Sequence, residues 1–376
     1  MAIKVGIIAN EFFDPNLGRM GGFGWLAKAA AEAFAISGEV EPVFITSEFE
    51  LPLMNTSIHG TQVIDRTGGI FYRVNRLRSE KFDRLISIDW RPNYNGIAAA
   101  LLDVPLTVWV QDPRSTYDIR RIKTLAIPNS PEPPAGIDFI DCSSLRKIQK
   151  LKRFFRKEIV FAGHANYLEE KISDTYHVHN IDYHFLCDPL NHVLKERILT
   201  EKREVVFLGR LDPIKRPWLF LELARKFPHV IFHFLGKNHF EVNGGWNNSN
   251  VPENIRFHGH VEGLVKQSIL QNAWVVINTS IHEALPISFL ESFSMGIPVL
   301  AMQNPDELAS RFGVFSGRWN GDGLEGLASL ERGLNELLKD KSSSLEIGAK
   351  CAEWVRNTHS QDLFVRQFLS MHRNSK

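Results

Sequence analysis

Short runs of β-branched and aromatic residues alternate with stretches of helical period along most of this chain, and near its middle the rhythm begins again. Residues 3–9 read as a buried strand, and residues 25–37, WLAKAAAEAFAIS, as an alanine-rich helix closed by Gly38. Strand-like runs follow at 42–46, 84–88, 106–111, 158–163 and 182–186. A second series opens at 203–210, with a helix over 216–227 and a strand over 230–236. It continues with a strand at 255–261, a helix at 264–273, a strand at 274–280, a helix beginning near Pro286 and a strand at 298–301. Such alternation predicts an α/β protein whose parallel sheets are covered by helices. With 376 residues the chain also exceeds one ordinary core, so two such units in tandem are expected.

The break between them falls at Cys187-Asp188-Pro189-Leu190-Asn191, giving expected domains over 1–188 and 189–359. The end of the chain, from Ser344 to Arg373, reads as helical with an interruption at Thr358-His359-Ser360. Residues 360–376 are expected to cross back onto the first domain. Two open sheets arranged this way would present the carboxyl ends of their strands to a shared cleft, where ligands of α/β sheets bind.

Charge narrows the partners. Lys and Arg number 44 against 43 Asp and Glu, a net charge of +1, so nothing global attracts nucleic acid or a strongly acidic partner. No apolar run approaches the ~18 residues that read as a membrane span. The opening MAIKVGIIANEFF lacks the pattern of a signal peptide. Cys142, Cys187 and Cys351 are scattered, with neither C-x-x-C nor metal-ligand spacing, and read as reduced thiols of a cytoplasmic protein.

The stretch from Asn278 to Glu291, NTSIHEALPISFLE, follows an apolar run and carries two glutamates, Glu283 and Glu291. Pro286 suits the first helical position, where its missing N–H costs little, and the N–H groups of Ile287 and Ser288 would then face outward as donors. A helix start favours a phosphate or a sugar hydroxyl. Glu291, five residues further, would lie roughly 7.5 Å along the axis, beyond the roughly 5–5.5 Å at which two carboxylates flank one bond in a retaining hydrolase. Two acceptors straddling a helix start suit a ligand with hydroxyls at both ends and negative charge between, the shape of a nucleotide-sugar. Taken alone, the pair is better described as a solvated helix surface, with Glu283 favouring the dipole of the helix start. A second basic cluster, Arg210 and Lys215 within Gly209-Arg-Leu-Asp-Pro-Ile-Lys-Arg-Pro217, follows the first strand of the second unit. Arg grips phosphate oxygens bidentately and Lys adds a point charge, so the two would balance a diphosphate leaving group.

Gly209-Arg210, Lys215, His282-Glu283-Ala-Leu-Pro-Ile-Ser-Phe-Leu-Glu291 and Gly296-Ile-Pro-Val299 together resemble the retaining glycosyltransferases of family four, with their E-x7-E motif. That resemblance implies the GT-B fold, two Rossmann-like domains facing across a cleft. It implies that Arg210 and Lys215 hold the donor diphosphate, that Glu283 bonds hydroxyls of the transferred sugar, and that Glu291 bonds the ribose. Ala284, Leu285, Pro286, Ile287 and Ser288 would hold sugar and phosphate oxygens through the backbone. Gly21-Gly22 resembles the family's glycine loop, which lets backbone N–H groups approach the phosphates, and the loop around Val261 corresponds to the site of base contact. The reaction implied is transfer of a hexose-type sugar from a UDP- or GDP-sugar to an acceptor hydroxyl with retained configuration, in surface polysaccharide or glycolipid synthesis. The acceptor would be a sugar, a lipid-linked sugar or another hydroxyl.

The chain departs from the family at one place. Where many members carry a histidine at the end of a first-domain strand, this sequence offers Gln111 and Asp112. Asp112 would orient the acceptor hydroxyl, or Gln111 would bond the sugar. No D-x-D occurs, so no metal and no cofactor are expected, Arg210 and Lys215 taking the place of a divalent ion. Residues 145–157 hold seven Arg or Lys, with Leu145, Ile148, Leu151 and Phe155 at helical spacing. This helix would either lie on an anionic membrane as a peripheral contact or pack its stripe on its own domain. The proline-rich stretch 127–136 is expected to cover the acceptor side. Two other readings stand beside transfer: a nucleotide-sugar epimerase or phosphorylase on a similar frame, and a catalytically silent scaffold that binds nucleotide-sugar.

Overall fold

The computed structural model describes residues 2–11, 21–46, 57–58, 60–65, 67–130, 141–191, 197–240 and 250–371. The strands are β1 (Ile3–Ala9), β2 (Val40–Thr46), β3 (Ser57–Ile58), β4 (Thr61–Ile64), β5 (Arg84–Ile88), β6 (Leu106–Val110), β7 (Ile159–Gly163) and β8 (Tyr183–Phe185). A second set is β9 (Glu204–Leu208), β10 (Ile231–Leu235), β11 (Ile255–Gly259), β12 (Val275–Asn278), β13 (Val299–Ala301) and β14 (Gly313–Phe315). The helices begin with α1 (Gly22–Ser37), α2 (Ile70–Ser79), α3 (Asn95–Ala100), α4 (Thr116–Ile122), α5 (Ser144–Phe154), α6 (Glu169–Tyr176) and α7 (Pro217–Lys226). They continue with α8 (Gly263–Asn272), α9 (Ile287–Ser294), α10 (Leu308–Arg311), α11 (Leu327–Leu337), α12 (Lys341–Thr358) and α13 (Gln361–Ser370).

The chain divides into two compact units, one of Met1–Ser115, Phe139–Asn191 and Thr358–Lys376, the other of Thr116–Asp138 and His192–Asn357. Strand order in the first sheet is β3-β4-β2-β1-β5-β6-β7-β8, parallel except for the β3–β4 pair. In the second it is β11-β10-β9-β12-β13-β14, parallel throughout. Both are doubly wound, reversing direction between β1 and β5 and between β9 and β12, and such reversals open a crevice at the carboxyl edge.

In the first unit, α1 buries Leu26, Ala27, Ala29, Ala30, Ala31, Ala33 and Phe34, small side chains that let the helix sit close to the sheet. It starts at Gly22, earlier than the sequence pattern predicts, because the Glu11 carboxylate caps the N–H groups of Phe23 (2.8 Å) and Gly24 (3.0 Å). A side chain at Gly21 would meet that carboxylate at 2.5 Å, which accounts for glycine there. The returning helix α13 packs on this unit as expected, Phe364 and Phe368 lying 5.1 and 5.0 Å from Phe34, with Trp109 5.0 Å from Phe364.

Two expectations need correction. Residues 116–138 belong to the second unit rather than to the first domain, since Ile122, Leu125 and Ile127 are buried in its core with Trp218, Leu219 and Phe220. Residues 131–136 of the proline-rich stretch lie outside the described residues, while Ile127 at its start is part of that core. For α5, neither alternative holds for the whole stripe: Leu145 and Ile148 are buried in the first unit's core, as packing on its own domain requires, whereas Leu151 and Phe155, the latter just past the helix end, are exposed. Lys152 is buried too, donating to the carbonyls of Leu101 (2.9 Å) and Val104 (2.5 Å), and burial pushes its pKa down to about 8.

Candidate active site

The carboxyl ends of β9 and β12 bring together the two motifs read from the sequence. Past β9 the chain turns at Gly209 and runs beside the end of β10, with Gly209 N–H on Leu235 O and Leu211 N–H on Lys237 O, both 3.0 Å. Gly236 makes this approach possible, since a Cβ there would lie 1.8 Å from Gly209 O. Asp212 then caps the 3₁₀ turn Pro213–Lys215, its Oδ1 accepting the Lys215 N–H at 3.1 Å. Arg210 is exposed and sits 3.5 Å from Asp212.

Arg216 is fully buried in a left-handed conformation (φ 47°). Its guanidinium donates to Thr279 O (2.8 Å), Ser280 O (3.1 Å) and Trp319 O (2.9 Å). Burial, followed by the nearby Arg121, lowers its pKa to about 9. Thr279 Oγ1 answers by donating to Lys215 O at 2.6 Å, Ile281 N–H donates to Ile214 O at 2.9 Å, and Gln303 braces the carbonyls of Ser280 and Ile281 from the other side. The β9 turn and the β12 turn are therefore tied together by hydrogen bonds from both sides.

On the β12 turn sits Glu283. Its Oε1 accepts from Lys215 Nζ, from Ser280 Oγ at 2.6 Å and from Asn278 Nδ2 at 3.1 Å. Burial would raise this carboxyl, but Lys215 and the hydrogen bonds of Lys215, Ser280 and Asn278 outweigh it and hold the pKa below its ordinary value. Ala284, Leu285 and Pro286 are buried, Ile287 and Ser288 half-buried. Pro286 stands at the N-cap, one position earlier than predicted, because its ψ of 128° is extended and no side chain caps the helix start. Deeper in α9, Glu291 accepts from Lys266 of α8 at 2.6 Å. Val261 lies half-buried between β11 and α8, flanked by the exposed pair His260–Glu262.

Three cations here stand opposite carboxylates: Arg210 with Asp212, Lys215 with Glu283, Lys266 with Glu291. An arriving anion therefore meets these three already paired and must draw on rearranged ion pairs and on the α9 start. Asn278, Ser280, Arg216 and Lys266 join the site only in the structure, outside the residues to which the sequence motifs assign roles. The polar run Asn278-Thr279-Ser280 directly after an apolar strand was the available signal.

In the first unit, Gly21 is the N-cap of α1 and Gly22 its first residue. Asp112, at the end of β6, is ion-paired with Arg114 at 2.8 Å, and its N–H donates to Asp89 at 3.2 Å. Burial raises the Asp89 carboxyl, a tendency that Arg91 and the Tyr176 hydroxyl oppose without reversing it. All three cysteines are free and buried, and burial pushes each thiol up to about 12. Among the described residues no group of three or more His, Cys, Asp and Glu could hold a metal ion, and no helix is long and apolar enough to cross a membrane.

Residues 192–354 match the family model described as glycosyl transferases group 1. No curated sequence matches the chain. Among solved structures, sucrose-phosphate synthase from Thermosynechococcus elongatus has a TM-score of 0.70 at 13% identity, covering 99% of this chain and 98% of that one. Anabaena Alr3699/HepE in complex with UDP and glucose has a TM-score of 0.67 at 12% identity, covering 98% of both chains. WaaG, a glycosyltransferase involved in lipopolysaccharide biosynthesis, has a TM-score of 0.62 at 12% identity, covering 96% of this chain and 98% of that one. The fold is the GT-B fold, and a glycosyl transferases group 1 match lies across the unit that carries Lys215 and Glu283.

Proposed function

We propose that this chain is a retaining glycosyltransferase that moves a hexose-type sugar from a UDP- or GDP-sugar to an acceptor hydroxyl. The observation that carries this reading is Glu283, held ionised by Lys215, Ser280 and Asn278 beside the uncapped start of α9. A fixed carboxylate accepts from sugar hydroxyls, while the helix start and the cations Arg210 and Lys215 face the diphosphate. As the sugar–phosphate bond breaks, negative charge grows on the leaving diphosphate, and Lys215 can follow it from Glu283. Glu291, oriented by Lys266, would accept from the ribose, and the loop at Val261 would border the base. The family match over residues 192–354 and the UDP complex of HepE support this donor class. Counter-charge would come from the protein, without metal or cofactor.

The acceptor would be a sugar or a lipid-linked sugar, placing the enzyme in the cytoplasm, in polysaccharide or glycolipid synthesis. For peripheral membrane contact, α5 offers only its outer end, where Leu151, Phe154 and Phe155 are exposed among basic residues. A silent nucleotide-sugar-binding scaffold is the second reading, favoured by the Asp112–Arg114 pair, which engages the carboxylate expected to orient an acceptor. Incubation with UDP- and GDP-sugars, with chelator present, separates the two. Transfer releases nucleoside diphosphate and gives a product of unchanged anomeric configuration by NMR. A silent scaffold binds the donor and releases nothing.

A further inference from the structure

β6 and β7 run parallel and in register through the pair Val110–Gly163. One position beyond, Gln111 and His164 leave adjacent strands side by side, at roughly the 4.8 Å strand spacing. They stand on the carboxyl edge of the first sheet, the edge at which open α/β sheets bind ligands. Both side chains are withdrawn from solvent, 4% and 3% exposed. Even so, Gln111 Oε1 and Nε2 and His164 Nε2 have no hydrogen-bond partner among the described residues. Buried polar atoms are nearly always paired, and such a cluster calls for an occupant.

The other ring nitrogen of His164 is fixed. Nδ1 lies 3.1 and 3.0 Å from the two carboxylate oxygens of Asp188, which is itself fully buried. The Asp188 main-chain N–H donates in turn to His359 Nδ1 at 3.1 Å. Because a carboxylate accepts, Nδ1 carries a proton, and in that tautomer the ring presents a lone pair at Nε2. Gln111 adds an amide donor and a carbonyl acceptor. A lone pair beside an amide suits a group that both donates and accepts, which is a hydroxyl. A phosphate or carboxylate would meet two acceptors, and a cation would meet the amide N–H groups.

We propose that Gln111 and His164 bind sugar hydroxyls on the first unit, with Asp188 as the positioning residue that holds the His164 tautomer. The choice of a sugar as ligand rests on the glycosyl-transfer reading above. The hydroxyls belong either to an acceptor sugar or to the sugar of the donor.

The test is ¹⁵N NMR of the full chain labelled at histidine, following the His164 Nε2 resonance, assigned by its absence in His164→Gln. One arm titrates methyl glucopyranoside, galactopyranoside and mannopyranoside to roughly 0.1 M, a range that reveals millimolar affinity. The other arm titrates UDP-glucose and GDP-mannose against UDP and GDP alone. A saturable shift is expected in one arm, and Gln111→Leu should weaken it tenfold or more. Asp188→Ala should let both tautomers appear, whereas Asp188→Asn, which keeps an accepting oxygen, should preserve one. If Asp188→Ala does not fold, Gln111→Leu and Asp188→Asn still decide. A resonance unmoved by every probe, or moved equally in Gln111→Leu, overturns the assignment. Nucleotide release without any shift would refute this site and leave glycosyl transfer standing. A shift in a protein that releases no nucleotide would do the reverse.

Discussion

Arg216 Nε donates to Thr279 O at 2.8 Å, joining the turn after β9 to the turn after β12 through a guanidinium with no exposure to solvent. The carbonyls of Ser280 and Trp319 share the same guanidinium, so Arg216 joins Thr279 and Ile281 in holding the turn of Lys215 against that of Glu283. Replacement by Met should leave these acceptors unpaired and lower stability by roughly 3 kcal/mol or more, at 1.5–3 kcal/mol per charged hydrogen bond. Denaturant titration measures the loss. A variant as stable as the wild type would show that the two turns hold together without Arg216.

Lys215→Ala and Glu283→Ala should each lower turnover at least about a hundredfold, as removal of one charge stabiliser typically does. Circular dichroism should report an intact fold in both, and unchanged rates would remove these residues from the chemistry.

The same pair carries a pH signature. Glu283 has a pKa held below its ordinary 4.5, so the stabilisation it provides is present above that pH and is lost only as the pH falls below it. Without Lys215 the largest opposing influence on burial is gone and the carboxyl should titrate higher. Donor binding by Lys215→Met should therefore weaken in mild acid where the wild type still binds. Parallel pH profiles for the two proteins would contradict this.

His233 gives a second, independent pH effect in the second unit. It lies between Glu204 (3.1 Å) and His258 (2.9 Å), and burial, with smaller contributions from His258 and nearby cations, lowers it from 6.5 to about 4. Above 6.5 both folded and unfolded chains hold a neutral ring. Between 6.5 and about 4 only the unfolded chain takes up the proton, so stability should fall as the pH falls through that window. His258, also lowered by burial, adds to the fall, while Glu204, raised by burial, moderates it. Denaturation midpoints across the window should decline less steeply in His233→Phe.

At the end of the chain, Phe364→Ala or Phe368→Ala should destabilise the first unit by about 3–5 kcal/mol, the usual cost of removing a buried ring. Both rings are fully buried against Phe34. A loss below 1 kcal/mol, the scale of a single buried CH₂, would mean that α13 contributes little to that core.

Much of the architecture was legible because buried parallel strands are short apolar runs, and β1, β5, β9 and β12 fall where those runs lie. The break in the C-terminal helix at Thr358-His359-Ser360 was legible for a similar local reason, since Ser360 caps α13 by accepting the Leu363 N–H. Membership of a core is not local. Nothing in the pattern around Ile122 states which of two sheets receives it, and Leu145 and Leu151 look alike on a helical wheel although one is buried and the other exposed. At the candidate site, Lys215 and Glu283 were legible by residue type, but their pairing was not, because it depends on the strand order that puts β9 beside β12. Arg216 reads in sequence as one more basic residue in a turn, and only its surroundings reveal a structural brace.

Calorimetric titration of UDP, GDP and their sugars into the wild type, Lys215→Ala and Glu283→Ala tests the donor site most directly. One nucleotide and its sugar should bind the wild type saturably, and Lys215→Ala should weaken both by about a hundredfold or more, close to 2.7 kcal/mol. Glu283→Ala should weaken the nucleotide-sugar more than the nucleotide. Absence of binding by every ligand, or equal affinity in all three proteins, would contradict a donor site built on Lys215 and Glu283.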